Sequence, residues 1–296
     1  MIKKQILKIL PIRFREYFED SGVVFNNINE IRIRINRPVT YLSDNYETFT
    51  PFTANGFDLE EIMEYVSSYS VYAFEDEIRN GFITVEGGHR VGICGRVISE
   101  NSNVKSIRNI NFINIRIAHE IVGCSDGIID KIFDEYGARH TMIIAPPGYG
   151  KTTLLRDIIR NISNGTDRHS GVNVSVVDER SEIAACHLGV PQNDLGIRTD
   201  VMDCCPKIVG MLGMIRTMSP KVIAVDEIGN KNDVDAIMYV INCGCKVVCT
   251  VHGKSYKDVS ERVYMKEPIE MKIFERYLLI DKERMPYVHM IPEKAV

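Results

Sequence analysis

Four short apolar runs in the second half of the chain each stop at a residue that can handle phosphate or metal. They are Thr141–Ala145, Val172–Val177, Val222–Val225 and Val247–Val251. The first is followed by PPGYGKT, the second by Asp178-Glu179-Arg180, the third by Asp226-Glu227 and the fourth by His252. Helical patterns lie between the runs. Strands alternating with helices specify βαβ units and a mainly parallel sheet. In an open parallel sheet the carboxyl ends of the strands share one edge, and ligands bind there. The four strand ends are therefore expected to meet at one site.

The first strand end is the most specific. Ala145–Thr153, APPGYGKTT, fits the phosphate-binding P-loop template, with Ala145 where a glycine usually stands. Gly148 and Gly150 let successive backbone N–H groups turn inward onto phosphate oxygens, and the following helix presents its positive end to them. Leu154, Leu155, Ile158, Ile159 and Ile162 line one face of that helix. Lys151 is expected to reach the β- and γ-phosphates of ATP and the Thr152 hydroxyl to join the shell of Mg²⁺. Pro147, Gly148, Tyr149, Gly150, Lys151, Thr152 and Thr153 form the expected nucleotide-binding set. An alanine at position 145 is tolerated if φ is negative there.

Asp226-Glu227 after KVIAV matches a Walker B strand end. Asp226 is expected to hold Mg²⁺ through water and Glu227 to polarise the attacking water. Glu179 competes for the second role, since Asp178-Glu179 forms another acidic pair at another strand end. His252 is a candidate γ-phosphate sensor. Arg180, Arg198 and Arg216 flank these elements and either serve the site or pair with carboxylates. His89 and His119 read as structural.

The first half reads as α+β. Ile31, Ile33 and Ile35 alternate with Arg32 and Arg34 as a half-buried strand does. Asp58 is expected to cap an amphipathic helix through Ile62, Met63, Val66, Tyr69 and Ala73, ending near Phe74. Gly87-Gly88 marks a hairpin turn in the β-rich stretch that follows. At 296 residues two domains are expected, and a change of pattern near Gly123–Gly127 puts them at 1–125 and 126–296. The formal net charge of −4 gives no global attraction to nucleic acid or anionic membrane. No apolar stretch approaches the ~20 residues of a membrane span, and the N-terminus lacks a signal-peptide pattern. The eight cysteines show no metal-ligand spacing and are expected to be reduced, buried and apolar in a cytoplasmic protein.

APPGYGKTTLLRD, VVDERSEIA, DLGIRTDVMDCCPKIVGMLGMIRTMSPKVIAVDEIG and VCTVHG resemble the stage III sporulation protein AA family of endospore-forming bacteria. EIRIRINRPV, EGGHRVGICGRV and SIRNINFINIRIA extend the resemblance over nearly the whole chain. That family is similar to the RecA-like ATPases of type II and type IV secretion. The resemblance implies an N-terminal α+β domain followed by a RecA-like P-loop domain. It implies a ring-forming, hexameric, Mg²⁺-dependent ATPase that powers the mother cell–forespore channel. Such a protein would work from the mother-cell cytoplasm, reaching membrane-embedded channel proteins by peripheral contact. On the secretion pattern Asp178 and Glu179 fall on the Asp box and His252 on the His box. An arginine of the first domain, one of Arg90, Arg96 and Arg116, is implied to reach the nucleotide, and Arg116 is carried forward as the catalytic candidate. The chain departs from the pattern at Ala145, and at His119 where an arginine is common.

Two other functions share this motif content. A nucleic-acid-dependent ATPase would use Arg32, Arg34 and Arg37 as a basic stripe, but the chain is acidic and has no tryptophan. A slow nucleotide-gated assembly switch would carry the same Walker motifs and differ only in its kinetics.

Overall fold

The computed structural model describes residues 2–44, 46–67, 74–79, 81–100 and 103–289. The chain forms two compact units, Met1–His119 and Glu120–Val296.

The first unit is an antiparallel sheet with helices. Its strands are β1 (Ile28–Arg34), β2 (Pro38–Ser43), β3 (Tyr46–Thr53), β4 (Phe82–Val85), β5 (His89–Glu100) and β6 (Asn103–Arg116), in the spatial order β3-β2-β1-β6-β5-β4. Ile31 and Ile33 are fully buried while Arg32 is exposed, as the alternation requires. Helices α1 (Ile2–Ile9), α2 (Ile12–Asp20), α3 (Gly56–Val66) and α4 (Glu75–Arg79) complete the unit. Ile6, Leu10, Phe14 and Phe18 of the first two segments join Leu59, Ile62, Ile31 and Ile115 in one core. The Gly87-Gly88 turn joins β4 to β5 with positive φ at both glycines.

The cap of α3 is Asn55, not Asp58. Asn55 Oδ1 accepts the N–H groups of Phe57 and Asp58 at 2.9 and 3.2 Å, and Asp58 Oδ2 accepts the Asn55 N–H at 2.6 Å. This is a capping box with Asp58 at its third helical position. Both residue types cap helices, and the reciprocal bond decides between them. The helix ends at Val66 with Ser67 as its C-cap; Tyr69 and Ala73 lie outside the described residues.

His89 is buried, and its Nδ1 accepts the Ala118 N–H at 3.0 Å. The ring proton therefore sits on Nε2, 3.4 Å from Gln5 Oε1. His119 Nε2 donates to the Ile28 carbonyl at 2.8 Å. Both histidines serve the first unit's backbone.

The second unit begins upstream of Gly123–Gly127 for a physical reason. Buried Asp157 accepts the N–H of Gly123 at 3.0 Å and both the N–H and hydroxyl of Ser125 at 2.7 Å. These bonds fasten the segment to helix α5 (Lys151–Asn164). A small hairpin, β7 (Phe133–Asp134) and β8 (Gly137–Ala138), precedes a seven-stranded sheet. Its strands are β9 (Thr141–Ala145), β10 (Val174–Asp178), β11 (Thr199–Asp203), β12 (Val222–Val225), β13 (Lys246–His252), β14 (Arg276–Ile280) and β15 (Pro286–His289). The order is β11-β10-β12-β13-β9-β14-β15, parallel except for β15.

Burial on both faces explains the apolar runs. Ile143, Val176, Ala224 and Val248 face α5, while Ile144, Val177, Val225 and Val247 face α6 (Lys207–Met218) and α7 (Lys231–Asn242). Two further short helices, α8 (Tyr256–Ser260) and α9 (Lys266–Glu270), follow β13. The expectation of eight buried cysteines is corrected. All eight are thiols outside any disulfide, but only Cys186, Cys245 and Cys249 are buried, whereas Cys94, Cys204 and Cys243 are exposed. Cys94 lies on the outward face of β5 and Cys243 follows the end of α7, places where a small residue needs no burial.

Helix α6 packs on β10 through Gly210, where a Cβ would fall 2.4 Å from Val177 Cγ1. Three residues on, a Cβ at Gly213 would make only ordinary contact with Met202 at 3.5 Å. Two alanine substitutions in one helix should therefore move stability in opposite directions. Gly210→Ala is expected to destabilise by about 1–3 kcal/mol through overpacking. Gly213→Ala is expected to stabilise by roughly 0.5–1 kcal/mol. Urea denaturation followed by circular dichroism measures both.

Burial pushes the His89 imidazole down to about 4 from 6.5. A histidine held neutral in the native state contributes stability that is present above 6.5 and lost as pH falls towards 4. Between pH 7.5 and 4.5 this one group is expected to cost about 2 kcal/mol. His89→Asn, which keeps an acceptor for the Ala118 N–H, should show a shallower acid loss in the same urea titrations.

Candidate active site

The P-loop leaves β9 at Ala145, whose backbone is that of a strand, so the missing glycine costs nothing there. Gly148 and Gly150 have φ of +77 and +88, and a Cβ at either would meet no protein atom. The requirement for glycine is thus conformational. Gly150 is the N-cap of α5 and Lys151 its first residue. The Lys151 ammonium is buried, donating to the Pro146 carbonyl at 3.0 Å and to His252 Nδ1 at 2.9 Å. Burial lowers its proton affinity, and the carboxylates of Asp226 and Glu227 oppose that shift.

Strand register brings the other groups to this point. His252 pairs directly with Ala145 across β13 and β9, and Val225 pairs with Cys249 across β12 and β13. Asp226 therefore emerges beside Thr250. Its Oδ1 accepts the Thr250 hydroxyl and its Oδ2 accepts the Thr152 hydroxyl at 2.7 Å. The Glu227 N–H donates to Thr250 Oγ1 at 2.9 Å, and Glu227 itself has a positive φ of 56. Its carboxylate accepts from His252 Nε2 at 2.8 Å on Oε1 and from Arg180 Nη1 at 2.8 Å on Oε2. His252 thus bridges the Lys151 ammonium on Nδ1 and the Glu227 carboxylate on Nε2.

A cavity of about 340 Å³ is lined by Pro147, Gly148, Gly150, Lys151, Thr152, Thr153, Glu182, Asp226, Glu227 and His252. Glycine backbone, one ammonium and a helix N-terminus on one wall suit a polyphosphate. The Thr152 hydroxyl and Asp226 carboxylate are an all-oxygen pair of the kind a hard divalent cation selects.

Several expected residues lie elsewhere. Tyr149 packs against the α5-side core. Asp178 is buried, and its carboxylate accepts the N–H groups of Glu182, Ile183 and Ala184 at 2.8, 2.9 and 2.8 Å. Burial pushes its pKa up to about 6 despite those bonds. Glu179 is held by Lys207 at 2.5 Å and lines a separate small recess with Arg180 and Glu227. Arg198 donates to the Ser163 carbonyl at 2.9 Å, and Arg216 is exposed at the end of α6. Arg116 ends β6 in the first unit, in register with Glu30 and Arg90. Arg96 lies on the same sheet opposite Arg108.

Three site groups had no place in the sequence reading. Thr250 is a fully buried hydroxyl inside VVCTV, and a polar residue within a buried parallel strand is a signal in itself. Glu182 reaches the cavity through the loop that Asp178 organises. Arg156, one turn beyond Thr152 on α5, is a largely buried cation facing Glu120, Asp178 and Asp226; burial lowers its pKa and those carboxylates counter it.

A family described as "Sporulation stage III, protein AA" matches residues 1–292. The chain is also 42% identical to Stage III sporulation protein AA of Bacillus subtilis (strain 168) over 259 residues, 88% of this chain and 84% of that protein. The chain belongs to the sporulation stage III protein AA family. Among solved structures, this family member is similar to the Legionella pneumophila ATPase DotB at a TM-score of 0.60 and 15% identity, covering 94% of this chain and 79% of that one. It is similar to the pilus retraction motor PilT with bound ADP at 0.64 and 14%, covering 98% and 84%. At these identities the likeness establishes the fold. The RecA-like architecture that the resemblance implied is the one found.

Proposed function

We propose that this sporulation stage III AA chain is a Mg²⁺-dependent ATPase. The observation that carries the reading is one cavity in which the P-loop, Thr152–Asp226 and His252–Glu227 converge from three adjacent parallel strands. The backbone N–H groups of the loop and the N-terminus of α5 would hold the β- and γ-phosphates. Lys151 would exchange the Pro146 carbonyl for phosphate oxygen, which restores the charge balance its burial disturbs. Thr152 and Asp226 would hold Mg²⁺, which supplies charge neutralisation during phosphoryl transfer. Glu227 lines the phosphate cavity and Glu179 does not, so Glu227 is assigned the orientation of water. His252 would sense γ-phosphate through its bond with Lys151.

The motor reading extends this. The resemblance to secretion ATPases supports self-association into a ring, proposed as a hexamer, with an N-terminal arginine such as Arg116 completing the nucleotide site. Among the described residues no helix is long and apolar enough to cross a membrane. Membrane-embedded sporulation channel proteins would be met by peripheral contact from the mother-cell cytoplasm. The nucleic-acid alternative is disfavoured because Arg32 of its basic stripe is bound to Glu30 at 2.6 Å.

Hydrolysis of Mg²⁺-ATP with Lys151→Ala as the blank tests the assignment. Glu227→Gln is expected to lower kcat by roughly a hundredfold or more while ATP still binds. Glu179→Gln should change kcat by no more than about threefold, since its carboxylate faces Lys207. Wild-type rates equal to the blank, with unimpaired nucleotide binding, would replace the motor with a nucleotide-gated switch.

A further inference from the structure

Glu227 borders two spaces, a position it shares with Glu182 and Asp226. On one side is the phosphate cavity, from which His252 Nε2 donates to Oε1 at 2.8 Å. On the other is a recess of about 20 Å³, room for about one water, lined by Asp178, Glu179, Arg180, Glu182, Lys207 and Asp226. From that side Arg180 Nη1 donates to Oε2 at 2.8 Å. Arg180 is not among the residues that line the phosphate cavity.

A glutamate that must orient water has three side-chain torsions to fix, and a free side chain of this length carries on the order of 1–2 kcal/mol of rotamer entropy. Here the backbone end is fixed by the Thr250 hydroxyl at a positive φ. The carboxylate end is fixed by one donor on each oxygen. Each oxygen keeps a second lone pair, so the carboxylate can still accept from water.

We propose that Arg180 is a positioning residue for hydrolysis, holding Glu227 from the recess side while His252 holds it from the phosphate side. The inference rests on the ATPase reading above. Arg180 acts through the glutamate and makes no contact with nucleotide. This separates it from Arg198, which bonds the Ser163 carbonyl, and from Arg216, which is exposed at the end of α6. An arginine suits the task because its planar fork keeps its direction, whereas a lysine offers a point charge on a flexible stem.

A kinetic cycle over wild type, Arg180→Ala, Arg180→Lys, Glu227→Gln and Arg180→Ala/Glu227→Gln tests this, with Kd for a fluorescent ATP analogue in Mg²⁺ measured on each. Arg180→Ala should lower kcat about tenfold, a loss typical of slight misplacement. Its KM and Kd should stay within about twofold, because no phosphate contact is lost. In the Glu227→Gln background the same substitution should cost nothing further. Arg180→Lys should recover part of the loss. A Kd weakened several-fold, or losses that multiply in the double variant, would place Arg180 on the nucleotide and overturn the proposal. An unchanged kcat would leave only a surface ion pair and overturn it as well. Wild-type turnover no higher than that of Lys151→Ala would overturn the ATPase reading itself, which the other outcomes leave standing.

Discussion

Strand β13 is the constraint on which the second unit depends. It pairs in parallel with β9 on one side and β12 on the other, and so fixes the P-loop relative to the acidic strand end. Two of its side chains complete the connection. Thr250 bonds both the Asp226 carboxylate and the Glu227 N–H, while His252 lies between Lys151 and Glu227. A shift of one residue in its register would turn Thr250 and His252 to the other face of the sheet and break the site. The apolar burial of Val247, Val248, Cys249 and Val251 on both faces is what makes such a shift costly.

Opposite charges are gathered about this strand. Lys151 and Arg156 are buried cations, and both are surrounded by the carboxylates of the strand ends. Removing one member without its partners would leave an uncompensated charge, which costs more than the pair contributes. The Lys151–His252–Glu227–Arg180 chain is one continuous run of hydrogen bonds between groups of opposite demand. Asp178 has a different duty, spending its acceptors on three consecutive N–H groups so that the loop after β10 returns Glu182 to the cavity.

Much of the site was legible because the sequence carries its period and its punctuation together. Three of the four strand ends meet at one cavity, lined by Gly148, Gly150, Lys151, Thr152, Asp226, Glu227 and His252, while Asp178, Glu179 and Arg180 after β10 line the small recess beside it. Other features depend on bonds that sequence does not display. Asp58 and Asn55 are both capping types, and only the reciprocal bond chooses between them. Asp157 binds Gly123 and Ser125 across more than thirty positions, which moves the unit boundary away from the change in residue pattern. Glu179 and Glu227 look alike until Lys207 is seen to hold the first. Strand β11, whose residues are half-buried or exposed at the sheet edge, lacks the apolar run that marks its neighbours.

A crystal structure of the full chain with Mg²⁺ and a non-hydrolysable ATP analogue tests the convergence most directly. The account predicts the β- and γ-phosphates on the loop amides from Gly148 to Thr152, with Lys151 moved from the Pro146 carbonyl onto phosphate. It predicts the cation on Thr152 Oγ1 and Glu227 still held beside the γ-phosphate. Nucleotide bound away from this loop, or phosphate bound there with Asp226 and Glu227 turned out of the cavity, would contradict it.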